Sequence, residues 1–384
     1  MINLSKNVII PGQTIGIIGG GQLGRMMAIA AKEMGFFVAV LEPTPNSPCA
    51  QVADIEVVAS YSDEEALRKL ADVSDVITYE FENVDAMALK RLTKIAYVPQ
   101  GSELLEITQH RFAEKQAIHN AGLPVSPHKL VRTEQDLMEA IKTIGIPSVL
   151  KTCRGGYDGK GQHVIRCLDD VAKARTLLQF GECLLEAWIP FVKEVSVIVV
   201  RNVSGEIAVF PVAENIHKEN ILHQTIVPAR ISSEVAQKAI AYARHLADAF
   251  HLVGTLAVEM FLTEEGDLYI NELAPRPHNS GHYTINGCVT SQFQQHIRAI
   301  CNWPLGSTEL LKPAVMVNIL GEHVEPVFNS ISRLGDAHLH MYGKKDAKPK
   351  RKMGHVTLLA ETVDVALKKV DELCIWTDRR MKHD

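Results

Sequence analysis

The sequence predicts an α/β protein in three parts: a parallel, doubly wound sheet, a small α+β unit, and a mixed core that carries an acidic hairpin. Three observations predict it. Short apolar runs alternate with helical stretches from residue 15 to 100, as in a parallel sheet with crossover helices. From 128 to 200 the period changes, and strand-like runs surround a single helix. Between 254 and 274 two apolar runs flank TEEG, which reads as a hairpin.

The first unit holds the runs TIGIIGG, FVAVLEP, DIEVVAS, DVITYEF and AYVPQ, with LGRMMAIAAKEMG and DEEALRKLADV as helices. Its first turn, GIIGGGQLGRMM, places Gly19, Gly21 and Gly24 in the pattern G-x-G-x-x-G. Glu42 ends the next run about 20 residues on, the spacing of a dinucleotide fingerprint. Glycine tolerates positive φ and lets backbone N–H groups approach an anion at a helix N-terminus. The same physics suits any phosphate or carboxylate, so the motif defines an anion-friendly corner and leaves an NAD-dependent oxidoreductase as one reading.

A helix, TQHRFAEKQAIHNAG, follows, with Thr108 placed to cap it and Gly122 and Pro124 to close it. The inserted unit comprises HKLV, EQDLMEAIKTIG, SVLK, HVIR, CLLEAW and EVSVIVVR. The amphipathic helix SEVAQKAIAYARHLADAFH then leads into TLAVEMFL and DLYINEL. After Pro304 come the strand-like AVMVNILGE, the basic segment YGKKDAKPKRKMGH and the helix VDVALKKVDELCIW.

Composition narrows the function classes. The chain has 384 residues, enough for two or three domains. Forty basic and 45 acidic residues give a net charge of −5, which argues against a surface dominated by nucleic-acid binding. Cysteines 49, 153, 167, 183, 288, 301 and 374 are scattered and lack C-x-x-C, so reduced thiols in a cytoplasmic setting are expected, without a structural zinc. No apolar run reaches about 18 residues, the length of a membrane span, and MINLSKNVIIPGQ lacks the apolar core of a signal peptide.

Three stretches carry chemistry. With Glu265-Gly266 as a two-residue turn, Glu259 lies opposite Glu272 and Phe261 opposite Ile270. Like charges directly opposite destabilise a ladder. A hard divalent ion such as Mg²⁺, held by one or two carboxylates together with substrate phosphates, removes the conflict. Asn271 adds a neutral oxygen where the backbone turns it inward; a water-diluted surface pair is the bland alternative.

Lys151 ends a strand, and RGGYDGKGQ precedes the next. The P-loop pattern is absent, and this loop joins strand to strand. Glycines 155, 156, 159 and 161 allow amides to face phosphate oxygens while Lys151 and Lys160 supply charge; an ordinary surface hairpin is the competing reading. In LLEAWIPFVKE a strand ends at Glu186, Ala187, Trp188 and Ile189 before Pro190. Backbone groups there can pair with an adenine edge, and Glu194 can accept ribose hydroxyls; core packing of Trp188 is the alternative.

Lys151, GGYDGKGQ, EAWIPF with Glu194, His217 and the pair Glu259 and Asn271-Glu272 resemble, in that order, an ATP-grasp ligase. GGGQLGRM, YEFENV, APRPHNSGHYT and KMGHV narrow the resemblance to the 5-(carboxyamino)imidazole ribonucleotide synthase family of purine biosynthesis, over residues 12 to 360. It implies an N-terminal Rossmann-like domain at 1–107, an ATP-grasp domain at 108–305 with a lid at about 128–200, and a C-terminal part at 306–384. It implies ATP held by Arg111, Lys151, Gly156, Tyr157, Asp158, Gly159, Lys160, Gly161, Gln162, Glu186, Ala187, Trp188, Ile189, Glu194, His217, Asn271 and Glu272. Glu259 and Glu272 would hold Mg²⁺, with Mn²⁺ as a substitute; neither NAD nor biotin is implied.

By the same resemblance 5-aminoimidazole ribonucleotide would contact Gly20, Gln22, Leu23, Glu80, Arg276, His278, Asn279 and Ser280, with Lys344 and Arg351 on its phosphate. Tyr157, Asp158, Lys160, Lys352 and Arg276 would surround bicarbonate and the reacting amine, and the enzyme would be a homodimer. For the basic run Lys344, Lys345, Lys348, Lys350, Arg351 and Lys352, a solvated loop is the ordinary reading. His278 and His282 have i, i+4 spacing, yet a glycine-broken loop without cysteines argues against zinc. Asn286 and Gln294 depart from the acidic residues expected in relatives. A formate-using glycinamide ribonucleotide transformylase, a biotin carboxylase and a non-catalytic nucleotide-binding module share parts of the pattern.

Overall fold

The computed structural model describes residues 8–156 and 159–376. The N-terminal runs form a parallel four-stranded sheet of β1 (Thr14–Ile18), β2 (Phe37–Glu42), β3 (Ile55–Val58) and β4 (Val76–Tyr79), in the order β3-β2-β1-β4. Helices α1 (Gln22–Glu33), α2 (Glu64–Asp72) and α3 (Ala86–Leu92) cover it. Met26, Met27, Ala30 and Ala31 of α1 pack on β1 and β2, and Phe293, Ile297 and Ile300 of the helix Gln292–Ile300 join that cluster. The parallel sheet is therefore sealed partly by a helix from the middle of the chain. The fifth expected strand, AYVPQ, does not form; it meets β4 through one bond, Ile77 N–H to Tyr97 O at 2.9 Å. Pro99 lacks the amide that a longer ladder needs.

The predicted helix after residue 108 is two: α4 (Glu103–Thr108) and α5 (Arg111–Asn120). His110, not Thr108, caps α5, its Nδ1 accepting from Ala113 N–H, while Thr108 ends α4. Gly122 takes positive φ beyond the helix end, as expected of a closing glycine.

The lid is an antiparallel sheet of β5 (His128–Val131), β6 (Ser148–Thr152), β7 (Gln162–Ile165) and β8 (Cys183–Ala187), in the order β5-β8-β6-β7. Its helix, Glu134–Ile144, opens with a Thr133–Asp136 capping box. The lid sheet closes at Ala187, not near 200: β9 (Phe191–Arg201), expected in the lid, runs in the core sheet. Pro190 breaks the run between them, and the buried valines of β9 continue the core.

That core is a long antiparallel sheet. It comprises β9, β10 (Ile207–Val209), β11 (Ala213–Lys218), β12 (Ile221–Val227), β13 (Gly254–Thr263), β14 (Leu268–Ala274), β15 (Ala314–Leu320), β16 (His338–Met341) and β17 (Lys352–Leu359). The order is β14-β13-β9-β11-β12-β15-β17-β16, with β10 on β9. Sequence periodicity identified none of β10, β11, β12, β16 and β17 as strands. Helix Ser233–Ala249 lays Ala239, Ala243, Leu246 and Ala247 on β9 and β13, the i, i+4, i+7, i+8 stripe of an amphipathic helix. The C-terminal strands belong to this same sheet, so the basic segment between β16 and β17 returns to the core.

The hairpin β13–β14 pairs Glu259 with Glu272 as expected, but its turn differs. The loop has three residues, Glu264 to Gly266, closed by Thr263 N–H to Asp267 O, with Gly266 at φ 87°. Met260 therefore faces Ile270, and Phe261 faces Tyr269 rather than Ile270. A bulge at Asn271 shifts the register by one and brings Glu272 opposite Glu259.

Candidate active site

A cavity of about 820 Å³ lies between the lid and the core sheet. Of the residues expected on ATP, Arg111, Lys151, Gly159, Lys160, Gln162, Glu186, Ala187, Trp188, Ile189, Glu194, His217, Asn271 and Glu272 line it. Glu259, Arg276, His278, Asn279 and Lys352 line it as well. These residues span β6, β7, β8, β9, β11, β13, β14 and β17, so the wall exists only once lid and core are folded together. Trp188 is 39% exposed, which sets aside its core-packing reading. Gly156 accepts from Arg111 Nη2 at 2.9 Å through its carbonyl, and Gly161 O accepts from Thr152 N–H at 2.8 Å. Tyr157 and Asp158 lie outside the described residues.

Charge in the cavity is arranged in linked pairs. Lys151 Nζ meets Glu186 at 2.8 Å, and buried Lys115 reaches the other oxygen of that carboxylate at 3.4 Å. Burial raises the Glu186 carboxyl, but Lys115 and Lys151 outweigh it and hold the group at about 2. Arg111 Nη1 lies 3.3 Å from Glu272, and His278 Nε2 lies 3.5 Å from Glu259. Burial, then the opposing Glu272, pushes the Glu259 carboxyl up to about 7. Burial works against ionisation of Glu272 too, but Arg111 and Lys151 hold its carboxyl below the usual range. Burial lowers His217 but Glu194, 3.2 Å away, lifts it above the ordinary imidazole range.

Two facing carboxylates, one of them raised by burial and by the other's charge, with a bulge-borne Asn271 on the same wall, form a hard oxygen donor set. That set fits a divalent cation shared with phosphate oxygens. The lysines and arginines around it suit a polyphosphate, and the Trp188–Ile189 strand end with Phe191 and Phe261, stacked at 4.5 Å, supplies an apolar wall.

The glycine turn settles differently from a dinucleotide site. Gly20 N–H donates to Glu42 Oε2 at 2.8 Å, Gly21 N–H donates to Glu80, and Gly24 N–H donates to Glu80 Oε2 at 2.6 Å. Amides that would receive a pyrophosphate thus hold the chain's own carboxylates, which repel one. Gly20, Gln22, Leu23, Glu80, Ser280, Lys344 and Arg351 are not on the cavity wall. Ser280 is buried against Ser196 at 2.9 Å and His278 Nδ1 at 2.9 Å, where it supports the imidazole.

Lys344 Nζ donates to Lys352 O at 2.7 Å, and burial and Arg351 bring its pKa down to about 8. Arg351 Nη1 donates to Asp346 O at 3.0 Å. The loop bearing Lys344 docks on the N-terminal unit through Gln51 Nε2 to Gly343 O at 2.9 Å. Arg276 pairs with Glu82 of YEFENV, joining the two units beside the cavity. His282 Nδ1 contacts Gln292 Nε2 at 3.2 Å. Asn286 Oδ1 accepts from His340 Nε2 at 2.7 Å, and Gln294 closes a capping box with Ser291, so both departures serve local structure.

Sequence reasoning missed Ser126, His163, Arg166, Asn220, Phe191 and Phe261 on the wall, and Glu114 and Lys115 behind it. The spacing of Arg111, Glu114 and Lys115 along α5 was a usable signal, since i, i+3 and i+4 share a helix face.

A lid folded over a core sheet, a strand lysine facing the cavity and a carboxylate-bearing hairpin define an ATP-grasp protein. The chain matches the ATP-grasp domain over residues 116–293, the ribonucleotide synthetase preATP-grasp domain over 12–109, and the phosphoribosylaminoimidazole carboxylase C-terminal domain over 314–369. It is 57% identical over 376 residues to the N5-carboxyaminoimidazole ribonucleotide synthase of Bacillus subtilis, covering 98% of each chain. An ADP complex of an N5-carboxyaminoimidazole ribonucleotide synthetase superposes with a TM-score of 0.95 at 65% identity, over 97% of this chain and 98% of that one. The Aspergillus clavatus enzyme in complex with ADP and 5-aminoimidazole ribonucleotide gives 0.89 at 34% identity, over 94% and 97%. The chain belongs to the N5-carboxyaminoimidazole ribonucleotide synthase family.

Proposed function

We propose that the chain joins a carboxylate from bicarbonate to the exocyclic amine of 5-aminoimidazole ribonucleotide, using ATP and releasing ADP and phosphate. The single observation that carries this is one cavity combining the phosphate-facing cations Lys151, Lys160 and Arg111, the carboxylates Glu259 and Glu272, and the substrate-loop residues Arg276, His278 and Asn279. A bicarbonate oxygen attacks the γ-phosphorus of ATP, and the bond to the β–γ bridging oxygen breaks, giving carboxyphosphate and ADP. The amine nitrogen then bonds to the carbon of carboxyphosphate, or of the CO₂ it releases. Phosphate departs, and the amine loses a proton.

Lys151 and Lys160, with the glycine loop at Gly159, serve the negative charge that develops on the phosphoryl oxygens, where preorganised charge contributes most. Lys160, Lys352 and Arg276 hold bicarbonate and the reacting amine, with Tyr157 and Asp158 assigned to the same role by family resemblance. Glu259 and Glu272 would hold Mg²⁺ or Mn²⁺, which when bound neutralises phosphate charge, while Asn271 orients toward the same phosphates. Trp188 and Ile189 seat the adenine edge, and Glu194 with His217 binds the ribose. Gly20, Gln22, Leu23, Glu80 and Ser280 form and support the ribonucleotide pocket, and Lys344 with Arg351 takes its phosphate; the docking of Gly343 on Gln51 supports that placement. We keep the division 1–107, 108–305 and 306–384, a homodimer and a cytoplasmic setting as parts of this reading, the last supported by seven free cysteines.

The test measures ADP release from MgATP with bicarbonate and 5-aminoimidazole ribonucleotide added separately and together, and follows the carbamate directly. Product that requires all three substrates is expected. ATP binding without ribonucleotide-stimulated turnover would overturn the substrate assignment.

A further inference from the structure

Helix α5 presents three charged side chains to the carboxylate hairpin. Arg111 reaches Glu272 itself, whereas Glu114 and Lys115 reach only the backbone around it. Lys115 Nζ donates to Ile270 O at 3.1 Å and to Asn271 O at 2.8 Å, and Glu114 Oε1 accepts from Leu273 N–H at 2.6 Å. These bonds span the bulge on both sides. β14 is the last strand of the core sheet, so groups on its outer side, such as the Ile270 N–H bonded to Pro124 O, lie outside the ladder, and buried carbonyls there must find other donors. Here a single ammonium supplies two of them, and its remaining neighbour is Glu186, which also holds Lys151.

Both side chains are deeply buried: Lys115 is 2% exposed and Glu114 1%. Burying charged groups costs several kcal/mol per ion after relaxation, and apolar residues of similar size often stabilise a fold as well or better. Stability alone is therefore a weak reason for this pair. What apolar side chains cannot do is hold the carbonyls of Ile270 and Asn271 and the amide of Leu273 in one geometry. That geometry brings Glu272 opposite Glu259 after a register that, without the bulge, would move every later side chain to the other face.

We infer that Glu114 and Lys115 are positioning residues: they brace the β14 bulge so that Asn271 and Glu272 face the phosphate end of the cavity, and through Glu186 they tie that brace to Lys151. This rests on the proposed cation site at Glu259 and Glu272. The brace acts on the cation-dependent part of nucleotide binding and leaves the adenine end alone.

The experiment is calorimetric titration of ADP into the full chain in Mg²⁺ and, separately, in EDTA. For the unaltered chain, Mg²⁺ should tighten ADP by about tenfold or more. Lys115→Met should reduce that ratio to below about threefold while affinity in EDTA stays within about threefold of the unaltered chain. General loosening would instead weaken binding in both buffers. Glu114→Gln keeps an acceptor for Leu273 N–H and should retain the ratio, whereas Glu114→Leu should lose it. A ratio preserved in Lys115→Met and Glu114→Leu would overturn the inference. So would failure of both to fold, because the pair would then be a requirement of the core. An unaltered chain that shows no Mg²⁺-dependent tightening would instead refute the cation site itself.

Discussion

Glu272 has two neighbours of opposite sign, Arg111 at 3.3 Å and Glu259 across the ladder, so its charge is useful only where something else compensates Glu259. Glu272→Gln keeps the shape and the bulge but removes one of two anionic ligands. Turnover should fall by about two orders of magnitude or more, with circular dichroism and melting temperature close to those of the unaltered chain. Near-normal turnover in this variant would remove the hairpin from the chemistry. Residue by residue, Lys151, Glu194, Glu259 and Glu272 were legible as polar groups in otherwise apolar strands, whereas His217, in the polar β11, came only through the family resemblance. Glu114 and Lys115 were overlooked despite sharing a helix face with Arg111, because charged residues on a helix normally signal a solvated face.

Glycines decide two of the elements. A Cβ on Gly24 would lie 2.6 Å from Gly19 O, a backbone atom that cannot swing away, so α1 could not approach β1 as closely. Gly24→Ala should destabilise by about 1–3 kcal/mol in urea unfolding, the usual cost of overpacking. Gly159, at φ 78°, would place a Cβ 2.5 Å from Asn220 Nδ2, on the tight β11–β12 turn that faces the cavity. Gly159→Ala should raise the KM for ATP by about tenfold with little change in melting temperature, because the strain falls on a loop. An unchanged KM would detach the glycine loop from nucleotide binding. At this scale the long helices were legible through their apolar stripes, as in Ala239, Ala243 and Leu246. Short strands such as β10 and β16 were not, since their partly exposed residues carry too little alternation.

Acid sensitivity belongs to the whole molecule. His282, His296 and His355 are buried and His278 is half-buried on the cavity wall; each is pushed down by burial first, His296 to about 3. Each loses stability as pH falls below its unfolded value of about 6.5, because only the unfolded chain takes up the proton. Glu259, at about 7, and Glu114, raised to about 8 by burial and Glu272, act in the opposite direction above about 4.5. His128, His323 and His340 are lowered too, and Glu80 and His217 are raised on the other side, so seven groups oppose four and a net loss on the order of 1–3 kcal/mol per pH unit is expected between about pH 6 and 5. Below about 4.5 Glu214 adds to the loss: Arg230 and Lys193 overcome its burial and hold it at about 2, so its contribution disappears as pH falls through that range. Urea midpoints at about pH 7, 5.5 and 4 should decrease in that order; a midpoint rising from 7 to 5.5 would show that the histidines do not control acid stability.

By itself the sequence determined the parallel N-terminal sheet, the acidic hairpin, the glycine loop and the order of the site motifs, because each is a local pattern of period, glycine or charge. Tertiary structure alone decided that β9 leaves the lid for the core and that His296 closes on Thr78 of the N-terminal sheet, 2.8 Å away. It also decided that the amides of Gly20, Gly21 and Gly24 hold Glu42 and Glu80. The reason is the same in each case: a hydrogen bond or ladder between residues tens to hundreds of positions apart depends on which surfaces meet, and local periodicity carries no record of that.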